Sequence, residues 1–409
     1  MSSVKPAARL NAIDALRGVA VLAVLVSHLP FSTTTTPAAQ LSGKPESVFP
    51  EWLDQTLDHG RFGVHLFLVI SGFCIHMAWA RRNDDAAEVS FLSFWKRRLH
   101  RLYPPYFVAL LMSLGGLFVL HGVLGHASGG IAARLGYPST TQLAIDLVLL
   151  VLLAQNLNGA SGRIGNGPFW TLALEEQLYA LYFPLLWMRK KLGWTKALVV
   201  VGAVTLLWRT FATLFIPPES ELLRTMILVG PARWFEWTLG AVAVEAYLGR
   251  VTLPAWCRSP FAALGLLAAG VLAFNITWFG LSFSYVVPFC DSLFGVGLFI
   301  MVNWACHIRW GDGRAGVVTR FFGWVGTFSY SLYLTHQPVI VAAKQIGFRL
   351  GLGAPGVLVL RLVLPIAAGL LFFQIVERRF LNSSRKTASS TSADEQTDGK
   401  GAAAATRAA

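Results

Sequence analysis

Charged residues and cysteines are scarce in this sequence. Asp, Glu, Lys and Arg make up only 13% of its 409 residues, whereas soluble domains average about 25%. Hydrophobic residues make up 55%, and the mean hydropathy is +0.55. These values exclude a soluble globular protein and indicate a chain that crosses a membrane several times. The four cysteines lack metal or redox spacing, so we interpret them as packing residues and infer no disulfide.

Several motifs of catalysis and cofactor binding are also absent. The sequence contains no H-E-x-x-H pattern, no G-x-S-x-G turn and no Walker loop. We therefore expect no metal site and no tightly bound cofactor. No A-x-A-like cleavage site follows the first apolar run, which disfavours a secretory signal peptide. The net charge of +13 does not indicate nucleic-acid binding, because the basic residues lie in short loops between apolar segments.

The apolar residues that are present fall into eleven segments. A transmembrane helix needs about 20 residues, and the segment 143–156 is too short. Every cluster of Lys and Arg lies in the cytoplasm only if this segment enters and leaves on the same side. We therefore predict an all-α polytopic membrane protein with about ten transmembrane helices, one short re-entrant or interfacial segment and both termini cytoplasmic. The segments are roughly 13–30, 62–80, 104–122, 143–156, 170–188, 197–215, 225–248, 260–277, 285–305, 321–343 and 357–377.

The predicted membrane domain covers residues 1–381. The remaining residues, 382–409, consist mainly of Ser, Thr, Ala, Asp and Gly. Such a composition is typical of a disordered segment, so we expect a disordered cytoplasmic tail. We find no internal repeat and no second domain.

The first segment, DALRGVAVLAVLVSHLP (14–30), has a cation before its apolar run and a histidine after it. Residues eleven apart return to nearly the same face of a helix, about 16 Å along the axis. Arg17 and His28 therefore share one stripe, and Asp14 lies close to it. One helix thus presents an acid, a cation and a titratable base along a line.

Further ionisable residues are predicted at the same depth as His28, near the outer side of the membrane. Ionisable groups inside a membrane are costly, so a functional role is the default interpretation of the whole set. For each residue alone, a structural ion pair or an interfacial position is an equally good interpretation. The residues are His65, Glu175, Glu176, Arg233, Glu236 and His336.

The most basic stretch, FWKRRLHRLYPPYF, lies on the predicted cytoplasmic side. Arg98 and Arg101 are three residues apart and share one helical face. The stretch is either a topological anchor or a binding site for a phosphorylated donor, since guanidinium groups match phosphate oxygens.

Five motifs, in order, resemble those of the acyltransferase-3 family of integral-membrane O-acyltransferases, the O-antigen and exopolysaccharide acetylase type. They are IDALRGVAVLAVLVSH, FGVHLFLVISGF, RRLHRLYPPY, FWTLALEEQLYALYFP and GTFSYSLYLTHQP. The resemblance covers about residues 10–380. The sequence departs from the family at His65-Leu66, where two bulky apolar residues are usual, and at Arg378-Arg379, near which a proline is common.

The resemblance implies transfer of an acyl group, usually acetyl, from cytoplasmic acyl-coenzyme A to a hydroxyl of a carbohydrate or glycoconjugate at a bacterial inner membrane. It implies that His28 is the general base or acyl relay, supported by Glu175 or Glu176. Arg17 would line the donor path, and Arg98 and Arg101 would hold the donor phosphates. The residues expected in the acceptor pocket are Asp14, His65, Ser71, Trp170, Arg233, Glu236, Tyr330, Tyr333 and His336.

Two other classes of protein were weighed against an acyltransferase. A proton-coupled transporter or flippase of a glycan or small molecule also needs buried His and Glu, but it predicts broken helices and internal repeats. A structural membrane subunit leaves the set of charges unexplained.

Overall fold

All regular secondary structure in the described part of the chain is helical. The computed structural model describes residues 6–29, 57–81, 90–119, 130–135, 137–158, 166–276, 283–308 and 314–381. The expected tail, 382–409, lies outside the described residues. The expected all-α class is therefore confirmed for these residues.

Twelve helices carry the described fold. Short one-turn elements at Ile131–Arg134, His59–Phe62, Gln155–Leu157, Gly167–Phe169 and Ala255–Arg258 join them, and a π-helical turn, Phe373–Glu377, follows the last. The helices are α1 (Pro6–Ser27), α2 (Gly63–Ala80), α3 (Phe91–Phe118), α4 (Thr140–Val151), α5 (Trp170–Phe215), α6 (Glu221–Leu228), α7 (Gly230–Tyr247), α8 (Pro260–Ile276), α9 (Phe283–His307), α10 (Arg314–Thr327), α11 (Ser329–Arg349) and α12 (Ala354–Phe372).

Four helical stretches of the described chain are long and apolar enough to cross a membrane. They are His59–Ala80, Gly167–Phe215, Phe289–His307 and Ala354–Leu381. Two shorter apolar helices, Thr140–Val151 and Pro260–Ala273, accompany them. The first of these matches the segment predicted to be too short: its twelve residues extend only about 18 Å.

The long helix α5 is two helices joined at one glycine. Gly193 has φ +76° and ψ 170°, outside the helical range. Glycine tolerates positive φ because it has no Cβ. The break coincides with the sequence RKKLGWTK, which separates two predicted segments. The two halves of α5 thus correspond to the predicted segments 170–188 and 197–215.

The bundle is held together by apolar helix faces. Helix α1 packs against α10 and α2, α7 packs against α2 and α5, and α11 packs against α12. Helices α1 and α10 meet at Gly18 and Gly326. A Cβ added at Gly18 would lie 2.0 Å from the carbonyl oxygen of Phe322, and one at Gly326 would lie 1.8 Å from that of Asp14. Small residues at such crossings let the backbones approach closely.

Candidate active site

A cavity of about 240 Å³ lies among α1, α2, α3, α5 and α11. Its lining includes Arg17, Arg98 and Arg101 together with Glu175 and Tyr333. The five motifs that resemble the acyltransferase-3 family therefore meet around one cavity, although they lie on five separate helices.

Three arginines line this cavity. Ser90 caps the N-terminus of helix α3, and its hydroxyl accepts a hydrogen bond from the Ser93 amide at 3.5 Å. The following turns of α3 carry Arg98 and Arg101 on one face. Arg101 lies close enough to Arg17 and Arg98 for electrostatic interaction. Like charges repel, so the group is suited to an anionic ligand.

Arg98 and Arg101 form no ion pair with a carboxylate within the described residues. The Arg98 guanidinium lies 5.6 Å from the Phe94 ring centroid and 5.7 Å from that of Tyr179. Its Nε is buried and has no hydrogen-bond partner among the described residues. Arg17 lies 3.8 Å from Asp14, whose side chain is 42% exposed. An ion pair this exposed contributes little to stability.

Glu175 points into the cavity, and Glu176 is absent from its lining. Adjacent residues of a helix point about 100° apart, which explains the difference. One oxygen of Glu175, Oε1, accepts hydrogen bonds from the Ser71 hydroxyl at 2.6 Å and the Tyr179 hydroxyl at 2.5 Å. The Trp237 indole N–H donates to the Ser71 oxygen at 3.2 Å. Glu175 is thus held by hydrogen bonds from α2 and from its own helix, and α7 in turn holds Ser71.

A layer of hydroxyl groups follows along α5 and α11. The hydroxyls of Thr171 and Tyr333 are 2.5 Å apart. The Pro168 carbonyl accepts from Thr171 at 3.0 Å and from Tyr333 at 2.9 Å. Both side chains line the cavity, so this layer forms part of its wall. Trp170 begins α5 next to Thr171 but is absent from the lining.

Beyond this layer lie the two histidines His28 and His336. Their ring centroids are 5.0 Å apart in an edge-to-face arrangement, and the His336 ring is 5.6 Å from that of Tyr333. His28 Nδ1 is 2.7 Å from the Val24 carbonyl oxygen, and His336 Nδ1 is 2.8 Å from the Tyr333 carbonyl oxygen. A neutral imidazole so bound carries its proton on Nδ1, and its Nε2 has the lone pair needed by a base.

The predicted residues of the acceptor pocket fall into two groups. Ser71, Tyr330 and Tyr333 line the cavity, and His336 lies next to Tyr333 as described above. His65 lies instead in a buried polar network, where its Nδ1 is 2.8 Å from Glu236 Oε2. Neither His65 nor Glu236 is part of the cavity wall.

Two residues that the sequence interpretation missed complete this network. Asp291 of α9 pairs with Arg233 at 2.7 Å, with Arg209 of α5 and, at 3.5 Å, with His65 Nε2. If His65 is neutral, the charges of Arg209 and Arg233 balance those of Glu236 and Asp291. Asp291 and Arg209 are single charges in long apolar runs, and this was the only signal in the sequence that could have identified them.

A second missed group joins α2, α5 and α7. His76 Nε2 is 2.7 Å from Glu245 Oε1, and its Nδ1 is 3.0 Å from the Tyr182 hydroxyl. His76 is fully buried. No group of three or more His, Cys, Asp or Glu side chains in the described chain has the geometry of a metal site.

Residues 10–375 match the model of a family described as an acyltransferase domain, Acyltransferase-3. The match covers nearly the whole described chain. The chain therefore belongs to the acyltransferase-3 family, as the order of its motifs predicted.

The chain is similar to curated bacterial proteins of this kind. It is 24% identical over 347 residues to the peptidoglycan O-acetyltransferase OatA of Listeria monocytogenes, covering 82% of this chain and 50% of the relative. It is 25% identical over 342 residues to the putative peptidoglycan O-acetyltransferase YrhL of Bacillus subtilis, covering 82% and 49%. The chain thus spans about half the length of these relatives. No solved structure matches it.

Proposed function

We propose that this protein is a membrane O-acyltransferase that moves an acyl group, acetyl in the first instance, from cytoplasmic acyl-coenzyme A to a hydroxyl of a carbohydrate or glycoconjugate. The observation that carries the proposal is the order of groups around the cavity. Arg98 and Arg101, which have no carboxylate partner among the described residues, lie along its wall, and a pair of histidines lies behind Tyr333. The family membership supports the type of reaction.

The donor would bind with its phosphates on Arg98 and Arg101. Guanidinium groups form strong charge-assisted hydrogen bonds to phosphate oxygens, and the Nε of Arg98, which has no partner in the described part of the chain, is available to donate. The narrow, largely apolar space from Arg17 towards Tyr333 suits the extended arm that carries the thioester. The thioester would then reach the Thr171–Tyr333 layer, which adjoins the histidines.

His28 would act as the general base. Its Nε2 would take the proton of the acceptor hydroxyl while the hydroxyl oxygen attacks the thioester carbonyl carbon. The C–S bond would break, the coenzyme A thiolate would leave, and the proton would return from His28 to that thiolate. Glu175 would orient Ser71 and Tyr179 beside the donor arm and offset part of the arginine charge. General-base catalysis of this kind contributes about two to four orders of magnitude in rate.

We further propose ten membrane crossings, with α4 as the short re-entrant or interfacial segment. The two halves of α5 count as two crossings, and α10 with α11 count as one. This number leaves both termini in the cytoplasm and every basic cluster inside, in a bacterial inner membrane. The arginine side of the cavity would then face the cytoplasm, and His28 would lie near the outer side.

The acceptor class is supported by the relatives. Two of them are named as peptidoglycan O-acetyltransferases, one putatively, so a carbohydrate hydroxyl is the acceptor we propose for this chain. Peptidoglycan is one candidate within that class.

Release of coenzyme A tests this proposal. Purified protein in detergent is incubated with acetyl-coenzyme A and a panel of sugar acceptors, including peptidoglycan fragments, and free thiol and acetylated sugar are measured. We expect acceptor-dependent release of coenzyme A with an equal amount of acetyl ester. Uptake of a glycan into vesicles without consumption of acetyl-coenzyme A would instead identify a transporter.

A further inference from the structure

Helix α12 and the π-helical turn after it carry two buried charged residues that the mechanism above does not use. Arg361 is 2% exposed and Glu377 is 4% exposed. A buried charge in a membrane protein is costly unless it has a partner. The partner of each residue is the end of another helix.

Arg361 binds the last turn of α1. Its Nη2 donates a hydrogen bond to the backbone carbonyl oxygen of His28 at 3.2 Å. Helix α1 ends at Ser27, so this carbonyl is one of those that lack a partner within the helix. The C-terminus of a helix also carries partial negative charge, which favours a cation. Within the described residues, no carboxylate forms an ion pair with Arg361.

Glu377, a negative charge, binds the first turn of α11. Its Oε2 accepts hydrogen bonds from the Ser331 amide at 3.1 Å and the Ser331 hydroxyl at 2.5 Å. Helix α11 begins at Ser329, so the Ser331 amide belongs to the partly positive N-terminal turn. Helix α12 and its π-helical turn thus contact the helix of His28 at its C-terminus, through Arg361, and the helix of His336 at its N-terminus, through Glu377.

The backbone at His28 forms the turn that ends α1. His28 lies just beyond the last helical residue, and its amide donates to the Leu25 carbonyl at 3.1 Å. Terminal turns fray readily. A shift of this turn would move the imidazole relative to His336, whose ring is 5.0 Å away.

We propose that Arg361 is a positioning residue for His28: by binding the His28 carbonyl, it fixes the last turn of α1 and with it the imidazole. The catalytic consequence rests on the proposed function, whereas the structural contact does not. Lys in place of Arg keeps the charge but lacks the planar fork, so it preserves this role only in part.

The test compares Arg361→Gln, Arg361→Lys and Lys344→Gln in the purified full-length protein. Lys344 lies on α11 and interacts electrostatically with Arg361, so its replacement removes a nearby positive charge and leaves the Arg361–His28 hydrogen bond in place. The first measurement is amide hydrogen exchange of the peptide that contains residues 24–29. The second is kcat and KM for acetyl-coenzyme A, from coenzyme A release.

For Arg361→Gln we expect amide exchange at the end of α1 to become about tenfold faster and kcat to fall about tenfold. This is the effect of one lost hydrogen bond to a charged group. KM for acetyl-coenzyme A should change less than about twofold, because the donor arginines are untouched. Arg361→Lys should lie between wild type and Arg361→Gln in both measurements, and Lys344→Gln should match wild type.

Unchanged exchange in Arg361→Gln, or an equal effect in Lys344→Gln, would overturn the proposal. If Arg361→Gln does not fold, Arg361→Lys decides, since wild-type exchange and kcat in that variant would also overturn it. If wild-type protein releases no coenzyme A, the proposed function fails, and hydrogen exchange still decides whether Arg361 holds α1.

Discussion

At the residue scale, the arrangement of the two histidines sets the chemistry that the site can perform. Both His28 and His336 are bound at Nδ1 by a backbone carbonyl of their own helix. This bond selects the tautomer whose Nε2 is basic. His336 Nε2 is buried and has no hydrogen-bond partner among the described residues. A reacting hydroxyl near His336 would therefore meet a nitrogen lone pair.

The arginines Arg98 and Arg101 give the first prediction. Replacing either by Ala should raise the KM for acetyl-coenzyme A about 10- to 100-fold, because a hydrogen bond to a charged group contributes about 1.5–3 kcal/mol. Lys should restore binding only in part. Arg97, exposed on the same turn and outside the cavity wall, provides the control, and Arg97→Ala should bind donor normally. Normal donor affinity in both test variants, with faulty membrane insertion, would favour the topological anchor instead.

The two neighbouring carboxylates give the second prediction. Glu175→Gln should lower kcat by about 10- to 100-fold, because it removes the charge that accepts from Ser71 and Tyr179. Glu176→Gln is the matched control and should stay within about twofold of wild type, since Glu176 is not part of the cavity wall. Steady-state kinetics of coenzyme A release measure both. The reverse order of effects would assign the supporting role to Glu176.

At the element scale, close helix crossings determine how the site residues meet. The crossing of α1 and α10 at Gly18 and Gly326 places Arg17 beside the cavity, and α11 follows directly after α10. The cavity therefore depends on backbone contact that a single methyl group would disturb.

Two glycines of α10 make this dependence testable. Gly326→Ala should destabilise the protein by about 1–3 kcal/mol, because its Cβ would overlap the Asp14 carbonyl oxygen. Gly323→Ala is the control: nothing lies within 4 Å of its added Cβ, so alanine there should be neutral or stabilising by up to about 1 kcal/mol. Thermal unfolding in detergent distinguishes them. Equal melting temperatures would show that α1 and α10 do not pack as described.

At the scale of the whole molecule, the proposed topology decides which side of the membrane each part of the site faces. Reporter fusions after Lys196 and after Arg385 should both report a cytoplasmic location, and a fusion after Pro217 should report the outer side. These results follow from ten crossings with every basic cluster inside. An outer location for either of the first two fusions would reverse part of the depth assignment.

The sequence predicted the helical class, the short fourth segment, the break between the two halves of α5 and the family. Apolar length, glycine and charge determine the first three features locally, whereas the family followed from the resemblance of five motifs. It did not predict that His65, Arg233 and Glu236 would form a network with Arg209 and Asp291, because the partners lie on four different helices. The predicted depth in the membrane placed these residues level with His28. Their positions in the plane of the membrane depend on how the helices pack, which cannot be read from one sequence.

The sequence analysis did not identify Arg361, for a related reason. Its partner is a backbone carbonyl, which leaves no signal in the side-chain pattern. Glu175 could not be separated from Glu176 either, since both lie on the same predicted segment and only the rotation of α5 decides which one faces the cavity.

The most direct test of the central claim is coenzyme A release by His28→Ala beside His307→Ala. His307 forms the same local bond as His28, from Nδ1 to the carbonyl four residues earlier, at 2.7 Å in both cases, but it is not part of the histidine pair. His28→Ala should lower turnover by about two to four orders of magnitude with normal donor binding, His65→Ala and His336→Ala should lower it less, and His307→Ala should keep wild-type turnover. Near-wild-type turnover in His28→Ala would contradict the account and transfer the role of base to His336 or Glu175.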